Sequence, residues 1–283
     1  LELTIELLRN LFDYKLDNYL PINYKNKKLG WINKKHKNFL KSISLKSDLI
    51  EGQDLFRKLK KKSKFANIRI ENNEICPVFN FNSLKPKLDF CEQKPFGINN
   101  IFEVDRKLLS ILGLPQYGIH GNAWSLKKNR VIFHFAKRSQ KLDDFPGYYD
   151  NLFAGGQPIG ISILDNLKKE AFEEAGIRKI LKKNLVKGST VNYFHEYQDK
   201  IHSGIIFNYH LKIENNNFSN MDGEVDSFIS EDAFEIYKLL ESNILKPNCI
   251  IPIADFFLRN MNDLFSKKGI LELEKLLGNE QRT

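Results

Sequence analysis

Apolar and polar positions repeat along this chain with two different periods, and the changes between them mark out its elements. Near the start, "LTIELLRNLFDYKL" (residues 3–16) places apolar residues close to every 3.6 positions, which predicts an amphipathic helix. "KLGWIN" (28–33) reads as a short strand entered through a turn. "LIEGQDLFRKLKKKSK" (49–64) reads as a second helix with a basic solvent face. "FANIRIENNEICPVFN" (65–80) alternates, with "ENNE" as a turn between two strands. The stretch "NSLKPKLDFCEQKPFGINN" (82–100) has two prolines and no period. It reads as a loop at a boundary, with a small basic α+β unit over 1–103 and a larger unit over 104–283.

The larger unit is strand-rich around one strong helix. "YGIHGNAWSL" and "RVIFHFAKRS" form a predicted hairpin, and "STVNYFHEYQ" and "HSGIIFNYHLKI" give two further strands. "NNNFSNMDGEVDSF" is a polar loop leading into a short strand. "EDAFEIYKLLES", "PNCIIPIADFFLRN" and "KGILELEKLLG" are predicted helices. The strong helix lies in "AGGQPIGISILDNLKKEAFEEAGI" (154–177). Ser162 suits an N-cap, with Asp165 three residues on as in a capping box. Gly176 suits a left-handed C-terminal position, so the helix is expected over Ile163 to Ala175. The fold class is therefore α+β.

Composition adds limits. Of 283 residues 42% are hydrophobic and 28% charged, ordinary for a globular protein. No run of eighteen apolar residues exists, so no membrane-spanning helix is expected. The N-terminal segment lacks the basic-then-apolar order of a signal peptide, so a cytoplasmic protein is expected. Three cysteines, Cys76, Cys91 and Cys249, form no CxxC pair and argue against a disulfide or zinc framework. The net charge of +9 is lopsided. Residues 1–100 hold 20 Lys and Arg against 11 Asp and Glu, whereas the rest of the chain balances at 24 of each. The excess sits in "YKNKK", "NKKHK" and "RKLKKKSK". It reads first as a solvated surface, and second as an attractor for phosphate-bearing ligands. No nucleic-acid motif accompanies it, which argues against such a partner.

The chemistry concentrates on the strong helix. At about 100° per residue Glu170, Glu173 and Glu174 share one face, while Leu164, Leu167, Ala171 and Ala175 form a separate apolar stripe. Three carboxylates on one face repel one another, and two of them lie in the last turn, where the helix dipole disfavours negative charge. Locally unfavourable choices of this kind point to a function. A hard divalent cation with oxygen ligands would relieve the conflict.

With Gly155 and Gly176 at fixed distances from these glutamates, the stretch resembles the Nudix box. Gly155, Ile161, Lys169, Glu170, Ala171, Glu173, Glu174, Gly176 and Ile177 stand at its nine positions, and seven fit. Ile161 and Lys169 replace the Glu and Arg that commonly pair to brace the loop against the helix, and apolar packing of Ile161 is expected to take over. "FAKRSQKLDDFPGYYDNLFAGGQPIG" (135–160), "YGIHGNAW" (117–124), "NMDGEVDSF" (220–228) and "LKPNCIIPIADFFLRN" (245–260) are similar to one Nudix branch. That branch is related to thiamine pyrophosphokinase fusions and hydrolyses oxidised or damaged thiamine diphosphates. "LGWIN" and "NEICPVFN" resemble the small domain that precedes Nudix there.

The resemblance implies a Nudix α/β/α sandwich behind a small N-terminal α+β domain. It further implies hydrolysis of a small-molecule diphosphate with Mg²⁺ or Mn²⁺. Gly155, Glu170, Glu173 and Glu174 would hold the metal, and Glu170, Glu174 and Glu224 are the candidates for catalysis, Glu224 as a further ligand or base from a distal loop. Arg138 and Lys141 are candidates for phosphate contact. Asp150 is a candidate for ordering the glycine loop. His120, Trp124, Tyr193 and His195 are candidates to line a pocket for a heteroaromatic ring. His195 and His202 show no HExxH-type spacing, so a zinc site is not expected. Another nucleotide-type diphosphate as substrate, and a catalytically weakened ligand-binding module, stand as alternatives. The oligomeric state is not legible.

Overall fold

The structure, a computed structural model, describes residues 2–12, 15–24, 27–36, 50–51, 64–65, 68–69, 74–79, 92–97, 100 and 102–278. Most of the basic helix expected over 49–64, and Cys91, lie outside the described residues. The ends of that segment, Ile50–Glu51 and Lys64–Phe65, are extended.

The first helix, α1 (Glu2–Phe12), follows from the 3.6-residue spacing and buries Ile5, Leu8 and Leu11. Strand β1 (Tyr19–Tyr24) pairs antiparallel with β2 (Lys27–Asn33), and β3 (Ile50–Glu51) lies parallel to β1. Two-residue β4 (Lys64–Phe65) and β5 (Ile68–Arg69) pair with each other. The turn expected at "ENNE" lies, but for Glu74, outside the described residues; of the strands expected to flank it, β6 (Ile75–Val78) pairs with β7 (Phe102–Asp105). A short helix, α2 (Arg106–Ile111), follows with Asp105 as its N-cap.

The main sheet is mixed. Long β8 (Pro115–Lys127) pairs antiparallel with β9 (Arg130–Arg138) and parallel with β13 (Lys200–Lys212). Outside β13 lies β12 (Leu185–Tyr197); β10 (Tyr149–Asn151) and β14 (Val225–Asp232) pair with β9, and β11 (Phe153–Gly156) with β8. Both long hairpins turn on two non-glycine residues with positive φ, Lys128-Asn129 and Gln198-Asp199. That is the primed-turn geometry which matches strand twist.

Opposite sides of this sheet carry different helices. On one side α3 (Ile163–Ala175) packs Leu167, Ala171 and Ala175 with Ile119, Phe153, Ile205 and Phe207. On the other, α1, α4 (Ile236–Glu241), α5 (Ile250–Asn260) and α6 (Lys267–Leu276) enclose Phe133, Phe135, Val191, Tyr193 and Ile206. The period-2 alternation of the strands divides these two cores. The result is an α+β protein with helices on both faces of a mixed sheet.

Candidate active site

Local signals set helix α3. The Ser162 hydroxyl accepts the backbone N–H of Asp165 at 3.0 Å and donates to the Asp165 carboxylate at 2.7 Å. Gly176 ends the helix with φ 70°, a conformation available to glycine at little steric cost. With both ends fixed, Glu170 and Glu174 point to β11. A Cβ added to Gly155 would lie 2.1 Å from the Glu170 carboxyl carbon. Only glycine therefore lets that carboxylate lie against the strand. The Glu174 carboxylate accepts the backbone N–H of Ala154 at 2.7 Å. Met221 N–H, donating to the Glu173 carbonyl at 2.7 Å, anchors the loop that carries Glu224.

The electrostatics of the cluster are one-sided. Glu170 and Glu174 are 8% and 7% exposed. Burial pushes the Glu170 carboxyl above its ordinary value, against the pull of Lys169 and Arg106. Burial also pushes Glu174 well up, helped by the charges of Asp150 and Glu170. Both groups are short of positive charge. The Lys169 ammonium lies 3.2 Å from Glu170 Oε1 and 2.6 Å from Glu173 Oε2. Lys169 thus turns toward the acidic face.

The loop brace takes a different form from the one expected. Ile161 is only half-buried, and its carbonyl is what matters: it accepts the Gln157 side-chain amide at 3.1 Å and the Phe96 N–H at 2.9 Å. Gly160 N–H returns a bond to the Phe96 carbonyl at 2.9 Å, and Asn166 Nδ2 donates to the Gly156 carbonyl at 2.8 Å. Gln157, Asn166 and the backbone of residue 96 hold the loop.

These elements border a cavity of about 410 Å³. Gly155, Lys169, Glu170, Glu173 and Glu224 line it, together with His120, Arg138, Tyr193, His195 and His202. Four candidates stand outside its lining: Trp124, Lys141, and the buried Asp150 and Glu174. Trp124 packs on the Phe256 ring, centroids 5.3 Å apart, under the Lys212 ammonium. It shares a strand face with His120, but four residues along β8 is about 13 Å, far enough to place it beneath α5. Lys141 is exposed and outside the cavity lining. Arg138 lines the cavity, but its guanidinium donates to Asp150 at 3.1 Å and to the Asp144 carbonyl at 3.0 Å. Arg106 went unrecognised in the sequence. It lines the cavity from α2, pairs with Glu74 at 2.7 Å and lies against Gly156. Its position depends on the β6–β7 pairing, which no local signal announces.

His120, Asp150 and Cys249 place ligand-type atoms within 4.8 Å of one another. This group is already compensated. Asp150 receives Lys246 at 2.7 Å, Arg138 at 3.1 Å and the Cys249 thiol at 2.9 Å. Burial works to raise its carboxyl, but Lys246 and Arg138 outweigh it and hold the group far below the usual range. His120 bonds Asn151 at 2.8 Å, and burial pushes the Cys249 thiol up, away from the thiolate a metal requires. Asp150 is a brace between strand β10 and the C-terminal segment.

The chain is 31% identical over 186 residues to "Nudix hydrolase 24, chloroplastic" of Arabidopsis thaliana, covering 65% of this chain and 51% of that one. It is 30% identical over 186 residues to "Nudix hydrolase 20, chloroplastic" of the same plant, covering 65% and 50%. The chain thus spans about half the length of these curated relatives. No family model matches it. Among solved structures, the NUDIX domain of Shewanella oneidensis NrtR complexed with ADP ribose aligns with a TM-score of 0.42 at 11% identity, over 55% of this chain and 93% of that one. The relatives' names support the resemblance to the Nudix superfamily that the box carries.

Proposed function

We propose that this chain is a divalent-metal-dependent, Nudix-type hydrolase of a phosphoanhydride bond. Its proposed substrate is an oxidised thiamine diphosphate, cleaved to the monophosphate and phosphate. The observation that carries the reaction class is the under-compensated pair Glu170 and Glu174 against Gly155. The donor set fits the cation: carboxylate oxygens from Glu170, Glu173 and Glu174 suit hard Mg²⁺ or Mn²⁺, and the resemblance to the Nudix box would add the carbonyl of Gly155. Bound there, such an ion would offset diphosphate charge and acidify a water. Glu224, exposed and on the cavity wall, would accept the proton of the attacking water at its carboxylate. Arg106, on the cavity wall, would orient the phosphates. Phosphoryl transfer depends chiefly on such positioning and charge neutralisation. The thiamine assignment is supported by the motif run over 135–160.

A second reading, a module that binds a diphosphate without turning it over, is favoured by the Lys169 ammonium lodged between Glu170 and Glu173. The deciding experiment measures phosphate release with Mg²⁺ and with Mn²⁺. Its substrates are oxidised thiamine diphosphate, thiamine diphosphate, ADP-ribose and nucleoside triphosphates. Fastest release from the oxidised compound is expected. A nucleotide substrate turned over faster would replace the thiamine assignment. No turnover of any of them, with Glu173→Gln indistinguishable from wild type, would sink the enzymatic reading.

A further inference from the structure

Strand register brings a second set of groups to the cavity. His195 on β12 stands directly opposite His202 on β13, and Tyr193 opposite Gly204. Gly204 in turn pairs with Gln116 on β8, and Gly118 with Ile206. Directly opposed residues share a sheet face. His120, Gln116, Ile206, Tyr193, His195 and His202 thus form one floor, and all six line the cavity.

This floor has two properties that the metal face does not explain. The first is aromatic. The His195 and His202 rings stack at 5.1 Å with 14° between their planes, Tyr193 lies 5.8 Å from His195, and Phe145 lies about 6 Å from both imidazoles. The second is unmet hydrogen bonding. His195 is 7% exposed and His202 6%, yet neither ring nitrogen of His195, nor Nε2 of His202, has a hydrogen-bond partner. A buried polar atom left without a partner costs about 1–3 kcal/mol. Two such residues side by side on a cavity wall are a poor structural choice and a good receptor.

We infer that this floor binds the non-phosphate part of the ligand, a flat nitrogen heterocycle that carries both hydrogen-bond donors and acceptors, with His195 and His202 as its specificity-determining residues. The inference rests on the proposed hydrolase reading only for the phosphate end. Flatness follows from the near-parallel rings. Mixed donors and acceptors follow from charge state: burial lowers His195 to about 3 and His202 to about 4. Each imidazole is therefore neutral and offers one N–H and one lone pair. A carbocycle would leave these nitrogens unpaired.

The test is equilibrium binding with EDTA present, so that neither metal nor turnover enters. Thiamine monophosphate and AMP serve as heterocyclic probes; ribose 5-phosphate and glycerol 3-phosphate serve as probes without such a ring. Wild type should bind one heterocyclic probe at least about tenfold more tightly than either control. The ¹⁵N resonances of His195 and His202 should shift with that probe alone. His195→Phe, which keeps the ring, and His202→Asn should each reduce the preference to about threefold or less. Equal affinity for all four probes overturns the inference. So does a preference without histidine shifts, a measurement that needs no variant and is immune to misfolding. Phosphate release is scored separately. Absence of turnover alongside the ring preference would remove the hydrolase and leave the receptor. Equal turnover of diphosphates with and without a heterocycle would do the reverse.

Discussion

Two buried carboxylate sites in this molecule have opposite electrostatics. Asp255, on α5, is fully buried. It accepts the Ser189 N–H at 3.0 Å, the Ser189 hydroxyl at 2.5 Å, His210 Nε2 at 2.8 Å and Arg259 Nε at 3.0 Å. Burial alone would raise its carboxyl, but His210 and Ser189 outweigh it and bring it down to about 2. Glu174, on α3, is nearly as buried. It receives one backbone N–H, with Asp150, Glu170 and Glu224 as charged neighbours, and is pushed well up. Burial is common to both, so burial does not separate structure from function. Compensation does: Asp255 is completed by its own chain, whereas Glu174 leaves a deficit of positive charge for a ligand to fill.

That contrast predicts effects of different kinds. The largest belongs to Asp255. Asp255→Ala should cost about 3–5 kcal/mol in urea unfolding, because it strands Arg259 and His210. A depressed carboxyl contributes stability above its ordinary value of 3.8 and loses it as pH falls toward about 2. Between about pH 4 and pH 2, wild type should therefore lose more stability than Asp255→Ala does. Parallel pH curves would show that the network is not charged.

Next is the response to metal. Mg²⁺ at a hundred times its dissociation constant should stabilise the wild type by about 2.7 kcal/mol, and Asp255→Asn by the same increment on a lower baseline. Thermal melts with Mg²⁺ and with EDTA measure both. An increment that vanishes with Asp255→Asn would merge the two sites. Glu174→Gln should cut turnover at least about tenfold, a barrier rise of about 1.4 kcal/mol, without lowering the unfolding free energy in EDTA. Lost stability in EDTA would place Glu174 with Asp255.

Legibility in the sequence followed locality. Helix α3 was readable to the residue because Ser162, Asp165 and Gly176 act within a turn of its ends. The first long hairpin, and the two strands of the second, were readable from alternation. The loop brace was not: Phe96 meets Ile161 only through the path of the 92–97 segment, and Gln157 looks like any loop glutamine. Trp124, expected to line the ring pocket, shares the strand face of His120, and only its distance along β8 removes it from the cavity. Arg106 was missed because β6 pairs with β7 across an intervening stretch of chain. The His195–His202 floor was half visible; each residue sits in a plain strand pattern, and their opposition depends on hairpin register.

The smallest effect probes how far the acidic face is already occupied. Lys169 is 48% exposed, so its pairs with Glu170 and Glu173 are worth no more than about 1 kcal/mol each. Lys169→Met should then tighten Mn²⁺ binding about two- to fivefold by titration calorimetry, since each tenfold is about 1.4 kcal/mol. The change also removes a nearby positive charge, which by itself favours the cation. A second variant keeps the total charge of Lys169→Met and adds a partner on the loop. In Ile161→Glu/Lys169→Arg the arginine gains a partner on the loop, and total charge falls by one, as in Lys169→Met. If Lys169 acts by lodging between the glutamates, the double variant should match Lys169→Met in Mn²⁺ affinity and restrain the loop more tightly, seen as slower amide exchange at Gly160 and Ile161. Unchanged Mn²⁺ affinity in both would mean that the ammonium leaves the face freely, and that the deficit around Glu174 alone sets metal binding.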